Sequence, residues 1–137
     1  MEWINEDYRI SDNKSLISVD QVCNLLAKSY WAAERPRECI ETSIANSVCY
    51  GVYHYDLQIG FARVVTDYAT MYYIADVIID EQHRGKGLGK KLIGFITEQA
   101  VYKNLLGMLL TSDAHGLYQQ YGFEKNIETF MRKKRER

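Results

Sequence analysis

The stretch Tyr73-Ile74-Ala75-Asp76-Val77-Ile78-Ile79, then Asp80-Glu81, then Gln82-His83-Arg84-Gly85-Lys86-Gly87-Leu88-Gly89, decides how the rest of this chain is read. Its first seven residues are apolar and rich in β-branched side chains, so they predict a buried strand. Downstream, Leu88, Leu92, Ile96 and Ala100 recur every fourth residue, with Ile93 and Val101 widening the stripe, which predicts an amphipathic helix. A glycine-rich turn joining strand to helix leaves backbone N–H groups unpaired and facing outward. The helix N-terminus adds partial positive charge, and together they form a seat for phosphate oxygens. Arg84, Lys86, Lys90 and Lys91 add full charges nearby. A phosphorylated cofactor is expected here.

Two familiar glycine patterns fail when counted. From Gly85, the second glycine of a P-loop would fall on Lys90, and no Lys-Ser/Thr pair follows. The dinucleotide pattern G-x-G-x-x-G also meets Lys90 at its last glycine, and it belongs near the start of a βαβ chain. The spacing that fits is Q-x-x-G-x-G, at Gln82, Gly85 and Gly87, with Gly89 following. It resembles the pyrophosphate-binding motif of the GNAT superfamily of acyl-CoA N-acyltransferases. A second segment, Ala114-His115-Gly116-Leu117-Tyr118-Gln119-Gln120-Tyr121-Gly122-Phe123, is similar to that superfamily's A-x-x-L-Y-x-x-x-G-F signature. Both motifs in this order, about thirty residues apart, extend the resemblance over most of the chain.

Composition agrees with one globular domain spanning residues 1–137, since 47% of the residues are hydrophobic and supply a core. Seventeen basic residues stand against eighteen acidic ones, a balance that draws the chain neither to nucleic acid nor to a membrane. The basic end, Arg132 to Arg137, reads as a solvated terminus, with a polyanion-binding tail as the alternative. Cys23, Cys39 and Cys49 lack C-x-x-C spacing, which points to buried reduced thiols rather than a disulfide or zinc site. Met1 to Asp7 is acidic rather than signal-like, and no apolar run reaches membrane-spanning length. A cytoplasmic enzyme is expected.

Along the chain, Tyr8–Ile10 reads as a first strand. Ser18-Val19-Asp20-Gln21 has the form of a capping box before a helix carrying Val22, Leu25 and Leu26. Pro36 suits the first turn of a second helix through Ile40 and Ile44. Val48–His54 and Gln58–Thr66 form a hairpin across Tyr55-Asp56, and Asp67–Thr70 turns into the strand before the glycine loop. Met108–Thr111 reads as a short buried strand, Gly116–Tyr121 as a helix, and Thr129–Lys133 as a final strand. The class is α+β. The resemblance implies a mixed, mostly antiparallel central sheet whose middle strands splay apart to admit the cofactor, with helices on both faces.

The resemblance also assigns roles. The pantetheine arm of acetyl-CoA would follow the strand end Val77, Ile78 and Ile79, and the pyrophosphate would rest on backbone from Gln82 and His83 through Arg84, Gly85, Lys86, Gly87, Leu88, Gly89 and Lys90. Tyr118 matches the motif's tyrosine and is the candidate acid for the leaving thiolate. A phenol titrates near 10, above a thiol near 8.5, so it is protonated at neutral pH. Where many relatives have a pantetheine-contacting asparagine, this chain has Thr111, with Asp113 and His115 close enough to substitute.

On the acceptor side, Asp76 is an acid inside an apolar strand, and burying it requires a partner or a task. It is either the amine's base or the partner of Arg63 in an ion pair between adjacent strands. Trp31, Arg63, Asp67 and Tyr73 are the candidate acceptor-binding residues, and the resemblance implies that Glu34, Arg35 and Tyr68 also line that pocket. The expected activity is transfer of an acetyl group from acetyl-CoA to a primary amine of a small molecule or peptide, directly in a ternary complex, without metal. Homodimers are frequent among such relatives. The alternatives are a non-catalytic acyl-CoA-binding or sensing module on the same fold, and a nucleotide-binding protein of another fold.

Overall fold

The computed structural model describes residues 1–126 and 128–136. Strands β1 (Glu2–Asn5), β2 (Tyr8–Ser11), β3 (Val48–His54), β4 (Leu57–Thr66), β5 (Met71–Ile79) and β6 (Leu106–Leu109) form one sheet in chain order. The first five run antiparallel, each to the next, and β6 lies parallel to β5. Helices α1 (Val19–Leu26) and α2 (Arg37–Ala45) cover one face, with Val22, Leu26, Ile40 and Ile44 packed against Cys49, Phe61 and Ile78. Helix α3 (Leu88–Thr97) covers the other, with Leu92, Ile93 and Ile96 against Tyr50, Val52, Ala62 and Ile74. Short α4 (His115–Gln119) joins that second face through Tyr118. The sheet is mixed and mostly antiparallel with helices on both faces, as expected.

Two bulges decide which side chains face which layer. Ile59 is an extra residue on β4, between the pairs Val52↔Gly60 and Tyr53↔Gln58. On β5, Asp76 and Val77 together oppose Ala62, between Phe61↔Ile78 and Arg63↔Ala75. An inserted residue reverses the alternation of everything beyond it. Ile74 and Ile79, of opposite parity in sequence, therefore share the α3 face, while Ile78 points to α1 and α2.

The chain departs from the sequence expectations in several places. The first strand is Glu2–Asn5, joined to β2 by a tight turn in which Glu6 takes φ 55°. Ser18 Oγ accepts from the Gln21 N–H at 3.2 Å, but the box is not closed by Gln21. Buried Gln58 takes that part: its side-chain oxygen accepts from the Ser18 N–H at 2.8 Å and its carbonyl from the Gln21 side chain at 3.0 Å. Helix α3 stops at Thr97, and Ala100–Tyr102 form a separate helical turn, leaving Val101 exposed. Tyr102 pulls that turn inward by bonding the Tyr50 hydroxyl at 2.7 Å and stacking on Tyr72.

The expected strand Thr129–Lys133 does not form. Phe130 and Met131 are exposed, and four consecutive cations from Arg132 to Arg135 leave no alternating apolar face to hold a strand on the core. Strand β6 is consequently an edge, and Leu106 and Met108 are exposed rather than buried.

The β5–β6 ladder ends at Ile74↔Leu109, whereas β5 continues to Ile79. The two strands part there, so the splay lies one strand from the edge and not in the middle of the sheet.

Gly107 lets the edge strand lie close to its neighbours. A Cβ there would stand 2.8 Å from the Tyr72 ring and 3.1 Å from Phe123. Gly107→Ala is expected to destabilise the fold by about 1–3 kcal/mol, the range for overpacking a filled core. Urea unfolding checks it; an unchanged midpoint would show that the contact yields freely.

Candidate active site

Between β5 and α3 the chain makes one helical turn, Glu81–His83, and then the glycine loop. Asp80 caps the turn by accepting from the Gln82 N–H at 2.9 Å. Gly85 and Gly87 sit at φ 80° and 76°, a left-handed conformation that costs an ordinary side chain about 1–2 kcal/mol. Nothing lies within 4 Å of a Cβ added at either position, so the loop faces open space. Gly87 is also the N-cap of α3 and supplies no side-chain cap. Among the described residues, no backbone N–H from Gly85 to Lys90 is bonded within the protein. That run of free donors, at the positive end of a ten-residue helix and beside four exposed cations, is the electrostatic complement of a pyrophosphate.

Other bonds fix the loop in place. His83 Nδ1 is joined to the Tyr8 hydroxyl at 2.8 Å, and its ring lies 5.0 Å from that of His54, which pairs with Asp7. Arg84 Nε donates to the Ile79 carbonyl at 2.9 Å, so that carbonyl is already engaged and Arg84 is tied back to the strand end.

Short α4 places Tyr118 in the core on the α3 face. Ahead of the helix, Thr111 Oγ1 accepts from the Ala114 N–H at 3.1 Å, so its hydroxyl holds the loop together. Behind it, Gly122 at φ 89° allows the Phe123 N–H to reach back to the Tyr118 carbonyl at 3.3 Å and the Gly122 N–H to the Gln119 carbonyl at 3.2 Å. The Phe123 ring meets the Tyr118 ring edge-on at 6.1 Å. This is the glycine-dependent stop with its apolar contact that ends many helices, and it explains the Tyr-x-x-x-Gly-Phe spacing physically. Burial, then the nearby Asp113 carboxylate, then Tyr30, push the Tyr118 phenol up to about 12. Tyr121 is a packing residue: its hydroxyl donates to the Lys90 carbonyl at 2.8 Å and its ring lies against Gly94. Tyr30, in the α1–α2 connection, accepts from the Ser112 N–H at 3.2 Å and so bridges that connection to the loop after β6.

Asp76 anchors the third part. It takes φ 55°, unusual for a non-glycine residue, at the bulge in β5. Its carboxylate accepts from Trp31 Nε1 at 2.9 Å, Arg35 at 2.8 Å and Arg63 Nε at 2.6 Å. Its side chain is only 2% exposed and both arginines are 16% exposed. Burial alone would raise the carboxyl's pKa, but bonds from Arg63 and Arg35, with their charges, more than offset this and hold it below the ordinary range. Tyr73 lies in the same field, its phenol raised by burial.

The structure thus brings Trp31, Arg35, Arg63, Tyr73 and Asp76 together, with Tyr30 added. It leaves Asp67 apart: that carboxylate closes the β4–β5 turn by accepting from the Ala69 and Thr70 N–H groups and the Thr70 hydroxyl.

The family model for an acetyltransferase (GNAT) domain matches residues 45–125, more than half of the chain. The chain belongs to the GNAT family. A crystal structure described as a GNAT-family acetyltransferase, from Xanthomonas campestris pv. campestris, superposes with TM-score 0.88 at 32% identity, covering 94% of each chain. A Gibberella zeae protein named as an acetyltransferase is 28% identical across 85% of this chain and 78% of its own length. A chloroplastic GCN5-related N-acetyltransferase from Arabidopsis thaliana is 33% identical over 51% of this chain but only 28% of that longer protein.

Within the GNAT frame, sequence reasoning located the glycine turn before α3 and the short helix carrying Tyr118, because both are marked by glycines at fixed spacing. It did not assign Tyr30 or Ser112, whose bond crosses eighty-two residues of chain and leaves no local pattern.

Asp76→Asn keeps the shape and tolerates the positive φ but removes the charge, leaving two buried guanidiniums without an anion. Loss of about 3 kcal/mol is expected, the lower end for breaking a buried pair. Because the folded carboxyl titrates below its ordinary value, its contribution is present above about pH 4 and drains away as pH falls through the folded value. The gap between wild type and variant in urea unfolding should therefore narrow from pH 7 to pH 3. An equal gap at both would mean that Asp76 contributes through shape alone.

Proposed function

We propose that this protein transfers an acetyl group from acetyl-CoA to a primary amine, directly within a ternary complex. The observation that carries the reading is the free N–H run from Gly85 to Lys90 at the end of β5, with Tyr118 buried in the core of the same α3 face. Acetyl-CoA supplies the activated acyl group as a thioester. The N–H groups of Gly85 through Lys90 hold its pyrophosphate, with Gln82 and His83 opening the turn. The β5 edge at Val77, Ile78 and Ile79, which β6 leaves unpaired, receives the pantetheine amides. The carbonyl of Ile79 is the exception, since Arg84 occupies it. Asp113 takes the place beside the pantetheine that Thr111, engaged in its own loop, does not fill.

The amine attacks the thioester carbonyl as its neutral form, the C–S bond breaks, and the sulfur leaves as thiolate. Tyr118 Oη faces that thiolate as the hydrogen-bond donor. A phenol near 12 is a weaker acid than a thiol, so Tyr118 passes its proton on only as the proton lost by the amine replaces it. Asp76 is a poor base, because three donors occupy its oxygens and its pKa lies below the ordinary range. Its role in this reading is to fix Trp31, Arg35 and Arg63 along the acceptor wall beside Tyr73. The whole chain acts as one domain in the cytoplasm, and no helix among the described residues is long and apolar enough to cross a membrane.

In calorimetric titration, acetyl-CoA and coenzyme A are expected to bind at micromolar concentration and ATP not at all. ATP binding without coenzyme A binding would end the acyltransferase reading. Binding without transfer to any of a broad amine panel would favour an acyl-CoA-sensing module.

Tyr118→Phe is expected to keep coenzyme A affinity while lowering turnover on the order of 100-fold, the scale of a lost general acid. With Tyr118 protonated up to about pH 12, kcat/KM should climb between pH 7 and 9 as the acceptor deprotonates. Unchanged turnover in the variant, or a falling limb below pH 9 in the wild type, would remove Tyr118 from this role.

A further inference from the structure

The cluster around Asp76 does not balance its charges. Two guanidiniums, from Arg35 and Arg63, share one buried carboxylate. Arg63 spends Nε on Asp76 and Nη1 on Ser47 Oγ at 3.3 Å, and Arg35 spends Nη1 on Asp76. Among the described residues, Nη2 of Arg63 and both Nε and Nη2 of Arg35 have no protein partner. Neither arginine has a second buried acid: Glu38 shares the depression that Arg63 lines, but it is exposed and forms no ion pair with either. That depression, about 610 Å³, lies between α2 and β4 and makes the Arg63 side reachable from solvent. Trp31 is 40% exposed and stands edge-on to Tyr30 at 4.9 Å, giving the cluster an aromatic flank.

A largely buried surplus charge is costly unless something compensates it. Guanidinium donors with free nitrogens match the oxygens of a carboxylate or phosphate better than any other ligand chemistry. The cluster borders the bulge where β5 leaves β6, which is where the acceptor amine must meet the thioester.

We infer that the acceptor is an amine that also carries an anionic group, seated on the free donors of Arg35 and Arg63. This rests on the acetyltransferase reading above and narrows its substrate class. A polycationic acceptor is disfavoured by the same charges. Asp76 is the positioning residue that presents the two forks, and Arg35 and Arg63 are the specificity determinants.

The test uses the full chain, with coenzyme A release from acetyl-CoA followed by a thiol reagent. Acceptors are offered in matched pairs that differ in the anion: phenylalanine against phenethylamine, and O-phosphoethanolamine against ethanolamine. The anionic member of at least one pair is expected to have kcat/KM at least tenfold higher, and which pair responds separates carboxylate from phosphate. In Arg35→Gln, where Asp76 keeps Arg63 and Trp31, that preference should collapse toward unity while KM for acetyl-CoA holds. Arg35→Lys should restore part of it. A merely structural Arg35 would lower both members of a pair alike and leave their ratio unchanged.

Equal use of both members, preference for the neutral ones, or transfer to none of the four with coenzyme A bound would each overturn the inference. In all three cases calorimetric binding of coenzyme A leaves the acetyltransferase reading standing. Failure of coenzyme A itself to bind would remove that reading and the inference with it.

Discussion

A carboxylate with almost no exposure sits on a strand whose other residues are apolar, and much of the local structure follows from satisfying it. Asp76 occupies a β-bulge at positive φ, which turns its side chain toward α1 and α2. There Trp31, Arg35 and Arg63 each donate to it. Two of those donors come from the connection between α1 and α2, which otherwise docks through buried Ala32. The ion pairs thus hold that connection against the sheet, and Tyr30, next to Trp31, reaches across to Ser112. Removing the charge loosens one wall of the cleft and the bridge over it together.

The same bulge sets the geometry of the opposite wall. By reversing the side-chain alternation after Ala75, it lets Ile79 rejoin the α3 core while Ile78 faces α1 and α2. Strand β5 can then run past the end of its ladder with β6 and remain packed on both faces. Its open backbone edge leads directly into the glycine loop. The free N–H groups of Gly85 through Lys90 and the phenol of Tyr118 are therefore held by two well-packed elements, α3 and α4. Tyr121 locks these to each other through the Lys90 carbonyl. A rigid frame of this kind keeps donors in place before a ligand arrives, which is where their electrostatic advantage lies.

Two positive regions stand out in the structure. The loop end is positive through backbone dipoles and exposed lysines, as a pyrophosphate requires. The cluster around Asp76 is positive because two guanidiniums outnumber one carboxylate. Burial keeps the Tyr118 phenol protonated well above neutral pH. The net charge of −1 over the chain conceals this arrangement entirely.

The sequence by itself determined the elements whose chemistry is local. Glycines at 85, 87 and 122 announce backbone that only glycine adopts cheaply, so the turn before α3 and the end of α4 were legible from spacing. The apolar periods of α1, α3 and β5 were equally plain. What needed the tertiary structure is whatever depends on pairing across distance. The strand Glu2–Asn5 exists because β2 offers it a ladder, α3 stops at Thr97 because Tyr102 is drawn onto Tyr50 and Tyr72, and Gln58 closes the cap that Gln21 was expected to close. Thr129–Lys133 carries some strand-like residues but finds no face to bury, so its propensity has no effect. At Asp76 the sequence offered two meanings, a base or an ion pair. Only the fold, by turning its carboxylate onto Trp31, Arg35 and Arg63, gave it three donors and left two arginines with donors to spare.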